Sequence, residues 1–209
     1  ITVFGGPHTA SAGMTGKTLD STFDSSNVYS ESEKRTSAFE FRGDDGITAE
    51  FWLKVPNTSS NRVVFDITGS AAGQIFMALG SGDRFQMNLG TGSAATPTPL
   101  PVLDDVIDGA FNTWNHYAVT VLSSSAGLTY KGFKNGQLKK TTVSARHLPT
   151  ILPTTNGLNM TIASGSAIPG VGAFDLLTGS IDEFRFWKKA KTPEEIYNSW
   201  FTAIGGGTN

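Results

Sequence analysis

The sequence contains no cysteine, so disulfide bonds, thiolate metal sites and cysteine nucleophiles are excluded. Charged residues are also scarce, at 16% of the 209 residues against about 25% in an average soluble domain. The net charge of −2 provides no overall field that would attract nucleic acid or an anionic membrane. No apolar run approaches the roughly 18 residues of a membrane-spanning helix, so we expect no membrane insertion.

What the sequence has in quantity is Ser, Thr and Gly, with 24 glycines alone, and this composition suits many short strands joined by turns. Apolar and polar side chains alternate in residues 47–55, which places Ile47, Phe51 and Leu53 on one face of a strand. Comparable stretches follow at residues 62–68, 74–79, 84–89, 114–122, 128–134, 137–144, 157–163 and 177–187. About ten antiparallel strands of this kind predict an all-β, two-sheet antiparallel β-sandwich.

Local signals add turns, a loop and one helix to this pattern. The pair Asn135-Gly136 predicts a two-residue hairpin turn, because both residues accept positive φ. Three prolines in residues 91–101 predict a long loop, since proline has no N–H to donate to a strand ladder. One short C-terminal helix is expected from residue 193 to about residue 203, with Thr192 as N-cap and Glu195 completing a capping box.

The two ends of the chain differ from the alternating part. Residues 1–37 are polar with few apolar anchors, which predicts an N-terminal arm with one strand or a loosely ordered linker. Residues 38–204 form the predicted sandwich, and the glycine-rich residues 205–209 form a predicted flexible tail. Such ends indicate a module that is tethered to something else.

Four stretches, in this order, carry a resemblance to a known family. They are residues 47–54, residues 114–121 beginning Trp-Asn-His, the hairpin at 130–137, and the strand–loop–helix ending at 179–197. Together they resemble the laminin G-like domains of the concanavalin A-like lectin/glucanase superfamily. The resemblance implies a jelly-roll sandwich, with glycan or protein surfaces as partners in lectin-like, adhesive or virion structural proteins.

The sequence argues against catalysis. The related jelly-roll glucanases place their two carboxylates on one strand in a Glu-x-Asp-x-Glu spacing, and this spacing does not occur here. Asp182 and Glu183 are adjacent, so on a regular strand they would point to opposite faces. We expect the protein not to be an enzyme, with a glycoside hydrolase as a remote alternative.

Calcium is the one cofactor to consider, because the resemblance implies an ion held by loop oxygens at the sandwich edge. Asp44 and Asp45 lie in a Gly-Asp-Asp-Gly stretch, and Asp104, Asp105 and Asp108 lie further along the chain. Each of these aspartates is also explained as an ordinary turn residue. A calcium site at Asp44 and Asp45 is therefore a hypothesis beside that simpler interpretation.

Asp182 is a further candidate metal ligand. By alternation it shares a face with Phe184 and Phe186, which should be the core face. A buried carboxylate needs hydrogen-bond donors or a cation. We expect Asp182 to cap backbone amides of a neighbouring loop, and calcium is the alternative.

The four tryptophans admit two interpretations, a platform that stacks sugar rings or packing in the core. Trp114 and Trp187 lie in predicted strands and Trp200 lies on the apolar helix face, so packing is expected for these three. Trp52 is opposite the apolar face of its strand and is the candidate ligand-binding residue, with packing under the helix as the alternative. The lysines of residues 139–140 and 188–191 are predicted to be solvated, with an acidic partner as the alternative.

The sequence thus predicts a non-catalytic recognition module of an extracellular or virion-surface protein. It would bind glycan or protein through loops at one edge of the sandwich. The alternative is a purely structural virion decoration or appendage domain, whose terminal arms hook onto neighbouring subunits of a larger assembly.

Overall fold

The structure is a computed structural model, and it describes residues 2–4, 8–10, 18–19, 45–56, 61–69, 73–80, 82–90, 100–108, 111–145, 158–163 and 175–202. The strands of these residues are β1 (Thr2–Phe4), β2 (His8–Ala10), β3 (Thr18–Leu19), β4 (Ile47–Lys54), β5 (Arg62–Gly69), β6 (Gly73–Gly80), β7 (Arg84–Gly90), β8 (Leu100–Leu103), β9 (Asn115–Ser124), β10 (Gly127–Lys134), β11 (Gln137–Ser144), β12 (Leu158–Ile162) and β13 (Gly179–Trp187). They are followed by helix α1 (Pro193–Ser199).

The strands form two antiparallel sheets that pack face to face. The seven-stranded sheet has the order β1-β13-β4-β9-β10-β11, with β2 also paired to β13. The six-stranded sheet has the order β3-β12-β5-β6-β7-β8. The predicted all-β sandwich is confirmed, and strands β4–β7 and β9–β13 begin and end within two residues of the predicted bounds.

The core lies between the sheets and consists of the inward-facing members of the alternating strands. Phe51 of β4 stacks on Phe184 of β13, with ring centroids 6.1 Å apart and planes at 14°. Phe51 also meets Phe85 of β7 edge-on at 5.8 Å, and Phe65 of β5 meets Phe184 edge-on at 5.4 Å. All four rings are fully buried, so this aromatic cluster joins the two sheets.

The N-terminal residues contribute three short strands, where the sequence predicted one or none. β1 and β2 pair with β13 in the seven-stranded sheet, and β3 pairs with β12 in the six-stranded sheet. Segments of the predicted arm therefore belong to both sheets. The predicted boundary near residue 37 and the tail at residues 205–209 lie outside the described residues, so that division of the chain stays a prediction.

One predicted loop is shorter than expected. β8 begins at Leu100 and includes Pro101, so the prediction that the loop extends through residue 101 is wrong for these two residues. β8 is the edge strand beyond β7, where the missing N–H of a proline removes no ladder bond to a further strand.

The hairpin between β10 and β11 confirms the prediction from Asn135-Gly136. Asn135 has φ of 50° and Gly136 has φ of 78°, as a two-residue turn with two left-handed residues requires. The backbone of Gly136 lies against Trp200, because a Cβ at this position would be 2.3 Å from Cδ1 of that indole. Only glycine therefore fits this turn.

A β-bulge in β13 changes the orientation of one candidate site residue. The register with β4 shifts between Asp182 and Arg185, and Glu183 has φ of 48°. The bulge places Asp182 opposite Trp52 on the outer face, whereas Phe184 faces the core. The prediction that Asp182 points into the core is therefore wrong. Its Oδ1 accepts a hydrogen bond from the N–H of Glu183 at 2.8 Å, which fixes the bulge itself.

After β13 the chain folds back over the outer face of the seven-stranded sheet. We call residues 188–202 the C-terminal cover. Its helix packs Ile196 on Ala118 of β9 and Phe133 of β10, and these three residues form a separate small core. Lys191 N–H donates to Thr48 Oγ1 at 2.9 Å and ties the start of the cover to β4.

Helix α1 begins with the predicted capping box. Thr192 Oγ1 accepts from the N–H of Glu195 at 3.1 Å, and Glu195 Oε2 accepts from the N–H of Thr192 at 2.8 Å. The helix ends at Ser199, four residues before the predicted end. No helix among the described residues is long and apolar enough to cross a membrane.

Loss of this cap should weaken the cover. We expect Thr192→Ala to lower the free energy of unfolding by about 1 kcal/mol, because one orphan N–H of α1 loses its acceptor. Chemical denaturation measures the change. Thr192→Ser keeps the oxygen and should stay close to wild type, so equal losses in the two variants would contradict the capping role.

Candidate functional site

A polar cavity lies at one edge of the sandwich. Residues 104–108 and 111–114 lie between β8 in one sheet and β9 in the other, and we call these two segments the crossover. The cavity opens between the first segment and the β10–β11 hairpin. We call this space, of about 620 Å³, the edge cavity. It is lined only by polar side chains: Asp104, Asp105, Asp108, Lys134, Asn135, Gln137, Lys139 and Lys140.

The first part of the crossover is held by one carboxylate. Asp83, which precedes β7, accepts hydrogen bonds from the N–H groups of Ile107 at 2.7 Å and Asp108 at 2.9 Å. Its backbone carbonyl accepts from the N–H of Val106 at 3.0 Å. Val106 and Ile107 are buried, so this wall of the edge cavity is anchored in the core.

The lysines of the edge cavity are held by short polar contacts. Lys140 forms an ion pair with Asp104 at 2.6 Å, and Lys139 Nζ donates to Gln137 Oε1 at 2.8 Å. Lys134 Nζ donates to the backbone carbonyl of Asp105 at 3.2 Å. Three carboxylates and three ammonium groups therefore line the edge cavity, which offers both hydrogen-bond acceptors and donors without a large excess of either charge.

The second part of the crossover exposes two aromatic rings to solvent. Phe111 is 46% exposed and Trp114 is 36% exposed, and we call these two residues the aromatic ledge. The N–H of Asn112, between them, donates to the carbonyl of Val55 at 2.9 Å. Lys54 Nζ lies 5.3 Å from the centroid of the Trp114 ring. The expectation that Trp114 is a core residue is wrong, because β9 begins one residue later and leaves its ring at the sandwich surface.

Two asparagines connect the hairpin turn that lines the edge cavity to the residue that follows Trp114 of the ledge. Asn135 Nδ2 of the hairpin turn donates to Asn115 Oδ1, which follows Trp114, at 2.9 Å. The turn is also tied to His116: Asn135 Oδ1 accepts from the N–H of His116 at 2.9 Å, and Asn135 N–H donates to the carbonyl of His116 at 2.8 Å. Three hydrogen bonds therefore join the hairpin turn to the two residues that follow Trp114.

Behind the hairpin turn, the C-terminal cover buries a group of charged side chains. We call Glu50, His116 and Lys191 the buried charge cluster; their exposed fractions are 0%, 1% and 6%. Lys191 Nζ donates to Glu50 Oε1 at 2.7 Å and to Ser199 Oγ at 2.8 Å. His116 Nε2 is 3.6 Å from Glu50 Oε2, which is beyond hydrogen-bonding distance.

The pKa values of Glu50 and His116 are both lowered, but burial acts on them in opposite directions. Burial by itself would raise the pKa of Glu50, but the contacts with His116 and Lys191 outweigh it and hold the pKa below its ordinary value. Burial lowers the pKa of His116, and the charges of Arg185 and Lys191 act in the same direction against the opposing effect of Glu50. At neutral pH Glu50 is therefore a carboxylate and His116 is a neutral imidazole.

Trp52, the candidate ligand-binding residue, lies beside this cluster under the cover. Its ring is half-buried and lies 5.8 Å from the ring of Trp200 and 5.7 Å from that of His116. Packing under the helix, the alternative that the sequence left open, accounts for the position of this indole. A role of Trp52 in ligand binding stays a prediction.

Asp45 and Asp182, two of the candidate calcium ligands, lie far apart. Asp44 lies outside the described residues, and Asp45 is exposed at the start of β4. Asp182 pairs with Trp52, which is seven residues after Asp45 in the sequence. Asp182 therefore lies about 20 Å from Asp45. Within the described residues no three His, Asp or Glu side chains gather as a metal site, and calcium binding stays a prediction.

Sequence analysis did not identify the buried charge cluster. Glu50 belongs to the polar face of β4, which the alternation left open to solvent or to a second surface, and the structure shows the second. Lys191 was expected to be solvated, and this expectation is wrong, because the cover buries it on the sheet. The strand–loop–helix ending contained the signal, since a helix that follows β13 directly has to pack on an outer face of the sandwich.

Solved structures with a similar fold include the CBM40 module of a Ruminococcus gnavus IT-sialidase bound to α2,3-sialyllactose. It matches at 16% identity over 82% of this chain and 90% of that chain, with a TM-score of 0.57. Domain 4 of AbnA, a GH43 extracellular arabinanase from Geobacillus stearothermophilus in complex with arabinotriose, matches at 16% identity over 75% and 67%, with a TM-score of 0.51. The botulinum neurotoxin serotype C1 binding domain matches at 16% identity and a TM-score of 0.53, but the match spans 75% of this chain and only 36% of that one. At these identities the likeness shows the fold alone.

No curated protein matches this sequence. A laminin G-type family model, described as the concanavalin A-like lectin/glucanases superfamily, matches residues 24–197. This match covers most of the chain and includes β4 to β13. The chain therefore belongs to the laminin G-like family of the concanavalin A-like lectin/glucanase superfamily.

Proposed function

We propose that the protein is a non-catalytic glycan-recognition module of an extracellular or virion-surface protein, with the edge cavity and the aromatic ledge as its binding site. The observation that carries the proposal is the exposure of Trp114 and Phe111 on a loop that is pinned to the sandwich. Burying a ring of this size would stabilise the fold by roughly 2 kcal/mol, so its place at the surface beside a polar cavity favours a binding role.

The chemistry of the site matches that of a sugar. A pyranose has an apolar face of C–H groups, which packs on an indole or phenyl ring, and a rim of hydroxyl groups that both donate and accept hydrogen bonds. The ledge provides the rings, and the edge cavity provides carboxylates, amides and ammonium groups. A volume of about 620 Å³ is in the range of small-molecule sites.

The structural neighbours support this choice. The CBM40 module is bound to sialyllactose and the arabinanase domain is in complex with arabinotriose. Recognition without catalysis is supported by the sequence, which has no Glu-x-Asp-x-Glu strand, and by the position of Glu183, whose carboxylate forms an ion pair with Arg185 at 3.1 Å.

The structural alternative, in which terminal arms hook onto neighbouring subunits, has less support. β1, β2 and β3 pair with strands of their own chain, so these residues are already engaged within the sandwich. This leaves a smaller part of the N-terminal segment for contacts with another subunit.

A glycan array followed by calorimetric titration tests the proposal, with α2,3-sialyllactose and arabinotriose as first soluble probes. We expect specific binding by the wild type. Trp114→Ala should weaken it about tenfold or more, because loss of a central aromatic contact costs over about 1.4 kcal/mol. The double variant Gln137→Ala with Lys139→Ala should weaken it comparably from the cavity side.

Tyr197→Ala is the matched control, since this ring is 60% exposed on α1, on the other side of the C-terminal cover from the core. It should bind as the wild type does. Absence of any glycan binding by the folded wild type would overturn the function and favour the structural alternative. Binding that survives both site variants would overturn the site.

A further inference from the structure

We propose that the buried charge cluster is an acid-sensitive latch: protonation of His116 releases the C-terminal cover, which frees the β10–β11 turn and weakens glycan binding at the edge cavity. The last step rests on the proposed function. The release of the cover does not, because it is argued from the buried charge cluster and from the contacts of the cover.

His116 lies where the cover, the sheet and the hairpin turn meet. Its ring is 5.7 Å from that of Trp52 on β4 and 6.1 Å from that of Trp200 in the cover, measured between centroids. Its backbone N–H and carbonyl both bond to Asn135 of the turn. Neither ring nitrogen has a hydrogen-bond partner among the described residues, although the side chain is 1% exposed.

The charged groups that face His116 come from three elements. They are Glu50 on β4, Arg185 on β13 and Lys191 in the cover. Arg185 also pairs with Glu183, so these four side chains carry two positive and two negative charges. From the hairpin, Asn135 presents only neutral groups. Glu183 is partly exposed, so a proton on His116 would add a third positive charge to a buried group whose one carboxylate is Glu50.

The cover is the element that has to move when this charge appears. The ring of Trp200 is next to that of His116, so release of the cover would open the buried imidazole to water. The cover is a short segment, and α1 has seven residues. It is attached to the sheet through Lys191 to Glu50, and also through the small core at Ile196 and the N–H of Lys191 on Thr48, so opening it means unfolding one segment, which costs less than unfolding the sandwich.

The direction of the pH effect follows from the pKa of His116. Folding lowers this pKa, so the opened state binds the proton more tightly than the closed state. The closed cover is fully favoured above about pH 6.5, the ordinary pKa of histidine, and loses stability as the pH falls from there toward the lowered pKa. The pKa of Glu50 is also lowered, so its protonation weakens the cover in the same direction at lower pH.

Release of the cover would affect the proposed binding site through the contact between Trp200 and the hairpin turn. The ring of Trp200 lies on the backbone of Gly136, the second residue of the turn. The turn supplies Asn135 and begins the strand that supplies Gln137 and Lys139 to the edge cavity. Without Trp200 behind it, the turn loses this packing contact and is held by the hydrogen bonds of Asn135 to Asn115 and His116.

Hydrogen exchange measured by mass spectrometry at about pH 7.5 and about pH 5.5 tests the latch in the whole protein. After correction for intrinsic rates, protection of residues 188–202 and 135–137 should fall by up to about tenfold per pH unit below 6.5, as expected for uptake of one proton. Strands β5 and β6, which lie in the other sheet, should keep their protection. His116→Gln should keep the cover protected at both pH values.

His8→Gln and His147→Gln are the matched controls, because these are the other two histidines of the chain. Each should lose protection with pH as the wild type does. Equal protection of the wild-type cover at both pH values would overturn the latch, and this measurement stands even if His116→Gln does not fold. A loss of protection that persists in folded His116→Gln would also overturn it.

Titration of an array-positive oligosaccharide at the same two pH values separates the latch from the proposed function. A weaker affinity at the lower pH in the wild type but not in His116→Gln supports the coupling. An affinity that is unchanged while the cover opens overturns the coupling. A cover that opens in a protein that binds no glycan at either pH supports the latch and contradicts the proposed function.

Discussion

Glu50→Ala is expected to destabilise the protein by about 3–5 kcal/mol, because it leaves Lys191 buried without its anionic partner. Glu50 is fully buried at the centre of β4, opposite Arg185 of β13. Its removal also takes away the charge that faces His116. Urea denaturation followed by circular dichroism measures the loss.

A double-mutant cycle shows whether the loss comes from the broken pair. The double variant Glu50→Met with Lys191→Met removes both charges. Its loss in free energy of unfolding should be clearly smaller than the sum of the losses in Glu50→Met and in Lys191→Met. Glu194→Ala, at an exposed position in the first turn of α1, should change the stability by no more than about 0.5 kcal/mol. Additive losses at Glu50 and Lys191 would show that the two groups do not act as a pair.

Phe51→Ala is expected to cost about 3–5 kcal/mol for a different reason. Phe51 is fully buried between the sheets and contacts the rings of Phe85, Tyr117 and Phe184. These neighbours belong to strands of both sheets, so the space left by the ring cannot close by a local shift. The substitution loses both the buried apolar area and the contacts across the resulting cavity.

Phe201→Ala is the control for this substitution, since it makes the same chemical change at a ring that is 65% exposed. It should change the free energy of unfolding by no more than about 0.5 kcal/mol. Thermal and urea unfolding measure both variants. Similar losses in Phe51→Ala and Phe201→Ala would contradict the central position of Phe51 in the core.

The sequence predicted most of the sandwich because its strongest signals are local. Alternation over residues 47–55 identifies β4 and its core face, since neighbouring side chains on a strand point to opposite sides. Asn135-Gly136 fixes a hairpin because a two-residue turn needs two left-handed residues. Thr192 and Glu195 mark the start of α1 by satisfying its free N–H groups.

The outer face of the seven-stranded sheet was not predictable in the same way. Alternation assigns Glu50, Trp52 and His116 to a face away from the core, but it does not reveal whether another element covers that face. The bulge at Asp182 adds one residue to β13. Alternation counted back from Phe184 therefore assigns the residues before the bulge to the wrong face of the sheet. Both features depend on contacts between residues that are far apart in the chain.

The proposed binding site was missed for a related reason. Trp114 has the neighbours of a strand residue in the sequence, yet β9 begins at Asn115 and the indole is left outside. Asp108 and Lys139 are 31 positions apart and become neighbours only when the crossover lies beside the hairpin. Periodicity predicts which face a residue occupies and not which loops meet at an edge.

The crossover between β8 and β9 also bears on how this family diverges. It anchors itself through the buried Val106 and Ile107, whereas its exposed aspartates and aromatic rings contribute little to the core. Mutations that exchange those outward side chains can therefore accumulate while the sheets remain intact. Such a scaffold can change its exposed loops with little loss of stability, and solved structures of similar fold share as little as 13% identity with this chain.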